Sequence, residues 1–228
     1  FADGDLLFRQ LALPVVALDV IFGPKFIQYR FGVIRIGVHI GDRAERVDHL
    51  CALGLLEKGL VLANLKNPES AISAFDDSII YQPENPRAFL ERGKAFVSLG
   101  KFKEAIISFD RVLDHMPDDL NALHAKGIAL FNTHKFDDAI FVLEHLLTLK
   151  PDNPDALYHY AAAFAELGRY EEASEAFNRL LVIDSENARA WFEQGINFAN
   201  LTRHKDAITA FDHALKIKPD YFAAFFNK

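Results

Sequence analysis

A repeat with a fixed period of 34 residues is the feature that most constrains how this chain can fold. Alanine recurs at that spacing as Ala71, Ala105, Ala139, Ala173 and Ala207. Three further columns keep the same register: Phe75, Phe109, Leu143, Phe177 and Phe211; Gly59, Gly93, Gly127, Ala161 and Gly195; and Pro83, Pro117, Pro151, Ser185 and Pro219. Because self-similarity at such a period is typical of stacked supersecondary units, we expect one continuous array of repeats.

Each repeat contains two helical patterns. The segment 86–99 places the large residues Phe89 and Phe96 beside the small Gly93, and the segment 100–119 carries an apolar stripe at helical spacing. Gly100 and Gly168 stand between the two patterns, where a left-handed helix end suits glycine. Small residues let antiparallel helices approach closely, and the large neighbours fill the space towards the next unit. The pattern predicts an all-α protein built from helical hairpins.

The period, the small and aromatic columns and the closing proline resemble the tetratricopeptide repeat (TPR). The resemblance covers five complete repeats and part of a sixth within a domain of residues 42–228. The repeats span residues 52–85, 86–119, 120–153, 154–187 and 188–221, and the partial sixth spans residues 222–228. Ser185 and Leu143 depart mildly from the family's pattern. The resemblance implies an α-α superhelix, or solenoid, whose first helices line a concave groove.

The resemblance further implies a non-catalytic scaffold that binds a peptide or a partner protein segment in this groove. The family's pattern places the following residues on its lining: Arg87, Leu90, Lys94, Asn121, His124, Ile128, Phe131, Asn132, Tyr158, Glu166, Arg189, Phe192, Ile196 and Asn200. Many of them are large and apolar, and an exposed strip of that kind usually marks a binding surface. Two alternatives stay open: the apolar side chains pack into the helix layer beneath, and the asparagines serve local turns and caps.

The composition excludes several other classes of function. A net charge of −7 argues against nucleic acid as a partner. A single cysteine, Cys51, excludes an internal disulfide and a multi-cysteine metal site. The longest apolar run, residues 11–22, is too short to span a membrane and lacks the features of a signal peptide. We therefore expect a cytoplasmic protein that has protein or peptide partners.

Catalytic and cofactor-binding motifs are absent from the sequence. The chain contains no P-loop, no G-x-G-x-x-G, no H-E-x-x-H and no G-x-S-x-G. His124 and His159 could face the groove, but the sequence brings no metal-ligating partner to them. Acidic pairs such as Asp137–Asp138 open second helices, where the helix dipole explains them. We expect no active site, no cofactor and no metal within the repeats.

Residues 1–41 follow a different pattern. Two segments rich in Val, Ile, Phe and Tyr flank Gly23–Pro24, which predicts two strands and a turn, and Asp42 is predicted to cap the helix that follows. Two strands alone do not form a stable domain. Three interpretations stay open: the remnant of an upstream domain, a cap over the first repeat, or sequence foreign to the protein.

Both ends of the chain suggest a piece of a longer protein, since it begins at Phe1 and its only methionine is Met116. The alternative function is therefore a regulatory or recruitment part of a larger enzyme or sensor whose catalytic domain lies elsewhere. At the other end, Phe222, Phe225 and Phe226 begin an apolar helix without a following layer. Exposed apolar surface of this kind predicts self-association.

Overall fold

The computed structural model describes the backbone of residues 40–227 and the side chains of residues 47–227. Within that range the chain forms eleven α-helices and no strand, which confirms the all-α prediction. The helices are α1 (Ile40–Asn64), α2 (Pro68–Tyr81), α3 (Pro86–Ser98), α4 (Phe102–His115), α5 (Leu120–Asn132), α6 (Phe136–Leu149), α7 (Pro154–Glu166), α8 (Tyr170–Ile183), α9 (Ala188–Asn200), α10 (His204–Ile217) and α11 (Phe222–Asn227).

The start of α1 differs from the prediction. The helix begins at Ile40, two residues before Asp42, so Asp42 lies inside the helix and is not its N-cap. The strands and the turn predicted before that point fall outside the described residues.

The helix pairs follow the 34-residue repeat. The first helices α5, α7 and α9 each begin directly after an Asp or Asn that caps the helix. The side-chain oxygens of Asp119, Asn153 and Asn187 accept hydrogen bonds from the backbone N–H three residues later, at 2.7, 3.1 and 3.0 Å. These caps satisfy N–H groups that a helix leaves unpaired at its start. The polar tail of one repeat therefore starts the first helix of the next.

The turn between the two helices of a repeat requires a left-handed backbone. Gly100 and Gly168 have φ values of 69° and 74°, as the sequence predicts. The equivalent residues of the other three repeats, Lys66, His134 and Thr202, adopt φ values of 57°, 58° and 59° although they carry side chains. The array thus imposes the same turn on every repeat, with or without the residue that adopts it at lowest cost.

The described part of the chain divides into two compact units, with the boundary between residues 95 and 96. In the first unit, α1, α2 and the start of α3 pack around an apolar cluster of Leu56, Ala71, Phe75, Ala88 and Ala95. The hydroxyl of Ser78 on α2 donates a hydrogen bond to the carbonyl of Ala52 on α1, at 2.7 Å. Direct side-chain bonding and apolar contact together hold this first hairpin.

The second unit contains the larger core. Its main cluster runs from Leu123 on α5 through Leu143 on α6 and Leu157 on α7 to Phe177 on α8. Ala139 and Ala173, two members of the alanine column, are completely buried. Successive hairpins of this unit therefore share one apolar interior, as the repeat predicts. If the hairpins did not pack on one another, the alanine column would be exposed.

The first helices of the second unit form an inner layer. Helix α5 contacts α7, and α7 contacts α9, whereas the second helices make no comparable contacts with one another among the described residues. Helices in one layer are thus closer together than those in the other. The surface of α5, α7 and α9 is consequently the concave one within this unit.

Candidate functional site

The surface formed by the inner-layer helices α5, α7 and α9 carries eleven of the fourteen residues that the sequence predicts for the groove lining. We call this surface the inner groove. It consists of Asn121, His124, Ile128, Phe131 and Asn132 on α5, Tyr158 and Glu166 on α7, and Arg189, Phe192, Ile196 and Asn200 on α9. These residues share a unit because the helices that carry them contact one another in sequence along the inner layer.

The other three predicted residues lie on α3 in the first unit. The Arg87 guanidinium lies 3.7 Å from the Glu57 carboxylate, and the Lys94 ammonium lies 2.8 Å from that of Glu91. Leu90 is half-buried. The two cations are thus engaged with nearby carboxylates, and such exposed pairs contribute little stability.

Burial separates the groove residues into two groups. Ile128, Phe131, Phe192 and Ile196 are half-buried, whereas Tyr158 is only 8% exposed. The polar residues at the helix ends, Asn121, Asn132, Glu166, Arg189 and Asn200, are exposed. The apolar side chains therefore pack partly against the layer beneath and still offer part of their surface to a partner.

The central helix of the inner layer carries smaller side chains than the helix before it. Helix α7 carries Ala162 and Ala165 at the repeat positions where α5 carries Ile128 and Phe131. Phe131 packs towards α7 in the same cluster as Ala165. The lining of the inner groove is therefore least bulky on α7.

A histidine pair converges on one carboxylate at the edge of the groove. The Nε2 atom of His124 lies 2.8 Å from Oδ2 of Asp155. The Nδ1 atom of His159 lies 2.9 Å from the backbone carbonyl of Asp155 and 3.6 Å from its Oδ1. The edge of the Phe131 ring also contacts the His159 ring, at 5.7 Å between centroids. Burial lowers the pKa of His159, which favours the neutral ring.

A second network links α7 to α9. The Tyr158 hydroxyl donates a hydrogen bond to Oε1 of Glu193, at 3.3 Å, and the Arg189 guanidinium stacks over the Tyr158 ring at 4.3 Å. Burial raises the pKa values of both Tyr158 and Glu193. We call these three residues the Tyr158 cluster. Its contacts fix the spacing of α7 and α9 at the groove surface.

Sequence reasoning did not include Glu193 among the groove residues. The family's pattern assigns the lining from one face of each first helix, and Glu193 follows the lining residue Phe192 directly. The one available signal was its position, since His159 occupies the equivalent place in the preceding repeat and also faces the groove network.

Among the residues whose placement is described, no group of three or more His, Cys, Asp or Glu side chains has a geometry that could hold a metal ion. The same part of the chain contains no helix with the length and hydropathy needed to cross a bilayer.

Hairpins of 34 residues that stack in two layers define a helical-repeat solenoid. A family model described as tetratricopeptide repeat matches residues 43–119. A second, described as anaphase-promoting complex, cyclosome, subunit 3, matches residues 98–180 and 132–214. The chain belongs to the tetratricopeptide repeat family.

Solved structures with the same fold include YrrB and MamA. YrrB, described as a TPR protein with an unusual peptide-binding site, is 20% identical over 77% of this chain and 90% of its own, with a TM-score of 0.72. MamA from Desulfovibrio magneticus RS-1 is 22% identical over 75% of this chain and 96% of its own, also with a TM-score of 0.72. At these identities the similarity shows the fold alone. A comparison with curated protein sequences found no significant match.

Proposed function

We propose that the protein is a non-catalytic interaction scaffold and that its inner groove binds an extended or helical segment of a partner protein. The observation that carries this proposal is the strip of half-buried apolar side chains, Ile128, Phe131, Phe192 and Ile196, on either side of the alanines of α7. Covering the exposed apolar surface of such side chains in a concave groove contributes favourably to the free energy of binding a partner.

Affinity would come from apolar anchors and orientation from the polar rim. One large apolar side chain of the partner would lie above Ala162 and Ala165, between Phe131 and the side chains of α9. Asn132 would contribute to the polar rim through its side-chain oxygen, which can accept a hydrogen bond from a partner. Its amide nitrogen already donates a hydrogen bond to the carbonyl of Ile128 at 2.8 Å. Binding interfaces commonly combine apolar anchors at the centre with polar groups at the rim.

The test compares groove variants with a variant of the opposite surface. Phe131→Ala and Phe192→Ala each remove an aromatic anchor, whereas Phe141→Ala removes a ring that is 74% exposed on α6, outside the inner layer. Partners recovered by the wild-type protein are identified, and the dissociation constant of the isolated partner segment is then measured by fluorescence anisotropy. We expect each groove variant to weaken binding by about ten- to one-hundredfold.

Phe141→Ala should bind like the wild type. Circular dichroism of each variant separates a lost anchor from a lost fold. Equal affinities for all four proteins, or a loss confined to Phe141→Ala, would contradict the assignment of the inner groove.

A further inference from the structure

A buried polar patch separates the last two complete repeats. It consists of Ser174 on α8 and Gln194 and Asn197 on α9, with Asn178 of α8 at its exposed edge, and we call it the polar seam. The Gln194 amide nitrogen donates to the backbone carbonyl of Ser174 at 3.3 Å and to Oδ1 of Asn178 at 3.0 Å. Ser174, Gln194 and Asn197 are each more than nine-tenths buried. Polar side chains therefore meet here in the interior of the array.

The residues equivalent to Ser174 and Asn197 at the other junctions are apolar. One repeat earlier, the places of Ser174 and Asn197 are taken by Ile140 and Ala163, which belong to one apolar cluster. Two repeats earlier they are taken by Ile106 and Ala129, and in the first unit by Ile72 and Ala95. An isoleucine–alanine pair thus recurs at three junctions, and a serine–asparagine pair replaces it at the fourth.

The place of Gln194 also differs in its surroundings. Two of the equivalent residues, Arg92 and Lys126, form ion pairs with the carboxylates of Asp76 and Asp110, at 2.8 and 2.6 Å, and both pairs reach solvent. In the repeat directly before, the half-buried Tyr160 takes this place. Gln194 is completely buried, and Asn178 is its counterpart of those aspartates. The hydrogen bond between them joins the same positions as the ion pairs in a neutral form, from the buried Gln194 to Asn178 at the surface.

The polar seam does not satisfy its own hydrogen-bonding groups. Within the described part of the chain, no protein group hydrogen-bonds to Oγ of Ser174, to Oε1 of Gln194, or to either amide atom of Asn197. Buried polar atoms without partners destabilise the folded state, and in proteins such atoms are usually solvated by ordered water. A buried water molecule needs two to four polar partners, and α8 and α9 carry four such atoms on helices that contact each other.

We propose that the polar seam is a hydrated hinge. Ordered water bridges Ser174, Gln194 and Asn197 in the seam. Helices α9 and α10 separate from α8 at this place more readily than helices separate at the apolar junctions. Water-bridged polar groups can exchange to bulk water at little cost, whereas opening an isoleucine–alanine contact exposes apolar surface. Opening here also breaks the Tyr158 cluster, because that cluster joins α7 to α9 across the inner groove.

Hydrogen–deuterium exchange followed by mass spectrometry tests the hinge. The double variant Ser174→Ile with Asn197→Ala installs the pair found at the preceding junction, Ile140 and Ala163. We expect amide exchange in α9 to slow about tenfold or more relative to the wild type, with no change in α5 and α6. The comparison between variants is decisive because a repeat array also frays from its ends.

A matched control moves the seam to the preceding junction. Ile140→Ser with Ala163→Asn should accelerate exchange in α7 by about tenfold or more. Unchanged or faster exchange of α9 in the first double variant would overturn the hinge, as would unchanged exchange of α7 in the control.

Two further measurements hold even if a double variant folds poorly. Asn197→Ala alone removes two of the unpartnered atoms and should slow exchange in α9 by a smaller factor, so faster exchange would contradict the proposal. A high-resolution crystal structure of the wild-type protein should show water within hydrogen-bonding distance of the Asn197 amide. A dry seam in such a structure would refute the hydration.

Discussion

Replacing Gly195 by alanine tests whether close helix packing, rather than helix propensity, explains the small-residue column. A Cβ atom built on Gly195 of α9 would lie 2.5 Å from Cε1 and 2.6 Å from Cδ1 of Phe211 on α10. Contacts this short do not occur between real carbon atoms, so either the ring or the helix must move. Phe211 is almost completely buried, and the ring therefore has little free space to occupy.

The two effects have opposite signs. Alanine is favoured over glycine inside a helix by about 1 kcal/mol, so propensity alone predicts a more stable protein. Overpacking a well-filled core costs about 1–3 kcal/mol. Since the new methyl group would meet three atoms of one buried ring, we take the upper part of that range. The expected net effect is a loss of about 1–2 kcal/mol in the free energy of unfolding, or roughly 2–8 °C in the melting temperature for a domain of this size.

The assay is urea and thermal unfolding followed by far-ultraviolet circular dichroism. The control is Ala161→Gly on α7, the equivalent position of the preceding repeat, where the array already accommodates a methyl group at a completely buried site. That substitution should also destabilise, by about 1 kcal/mol, because it lowers helix propensity and removes a packed methyl group. If Gly195→Ala were as stable as the wild type or more so, the packing explanation of the glycine column would be refuted.

Three further predictions concern the turns, the groove and the end of the array. Thr202→Gly should raise the free energy of unfolding in urea by about 1 kcal/mol, because Thr202 holds a φ of 59°, and a loss of stability would contradict this account of the turn. Burial lowers the pKa of His159 below its usual 6.5. The stability that the neutral His159 ring contributes to the folded state is therefore complete above pH 6.5 and is lost as the pH falls from 6.5 through the lowered pKa. His159→Gln should therefore lose less stability than the wild type between about pH 7 and pH 5 in acid titrations of the melting temperature, and an identical pH dependence would tell against this role. Finally, the side chains of Phe225 and Phe226 on α11 are 69% and 83% exposed. Sedimentation should therefore show concentration-dependent association of the wild type, and the double variant Phe225→Ser with Phe226→Ser should abolish it. A wild-type protein that stays monomeric at all concentrations would contradict this prediction.

The helices, their order and the turns between them follow from local patterns in the sequence. A proline or a capping Asp or Asn starts most first helices, and glycine at 100 and 168 marks the left-handed turn. The turns at Lys66, His134 and Thr202 carry no such marker. Only their place in the period indicates the conformation, because the packing of the hairpin imposes the turn there against the preference of the residue.

The sequence predicts positions for a candidate groove but does not predict the contacts that these residues make. The repeat assigns Tyr158 and Arg189 to one surface, yet it does not indicate that Tyr158 is buried, that Arg189 stacks on its ring or that Glu193 accepts its hydrogen bond. Contacts between α7 and α9 join residues about one repeat apart. They depend on the spacing and rotation of two helices, which no local pattern specifies.

The sequence by itself determined the architecture of this protein. A period of 34 residues with small and large residues in constant register leaves few ways to bury the apolar faces other than stacked hairpins. The tertiary structure decided which side chains contact one another, and therefore which junctions between repeats are apolar and which one is polar. The substitution of Ser174 and Asn197 for an isoleucine and an alanine is visible in the sequence, but its consequence is not. Only burial turns those hydroxyl and amide groups into unpaired ones, because in water the same atoms would be fully solvated.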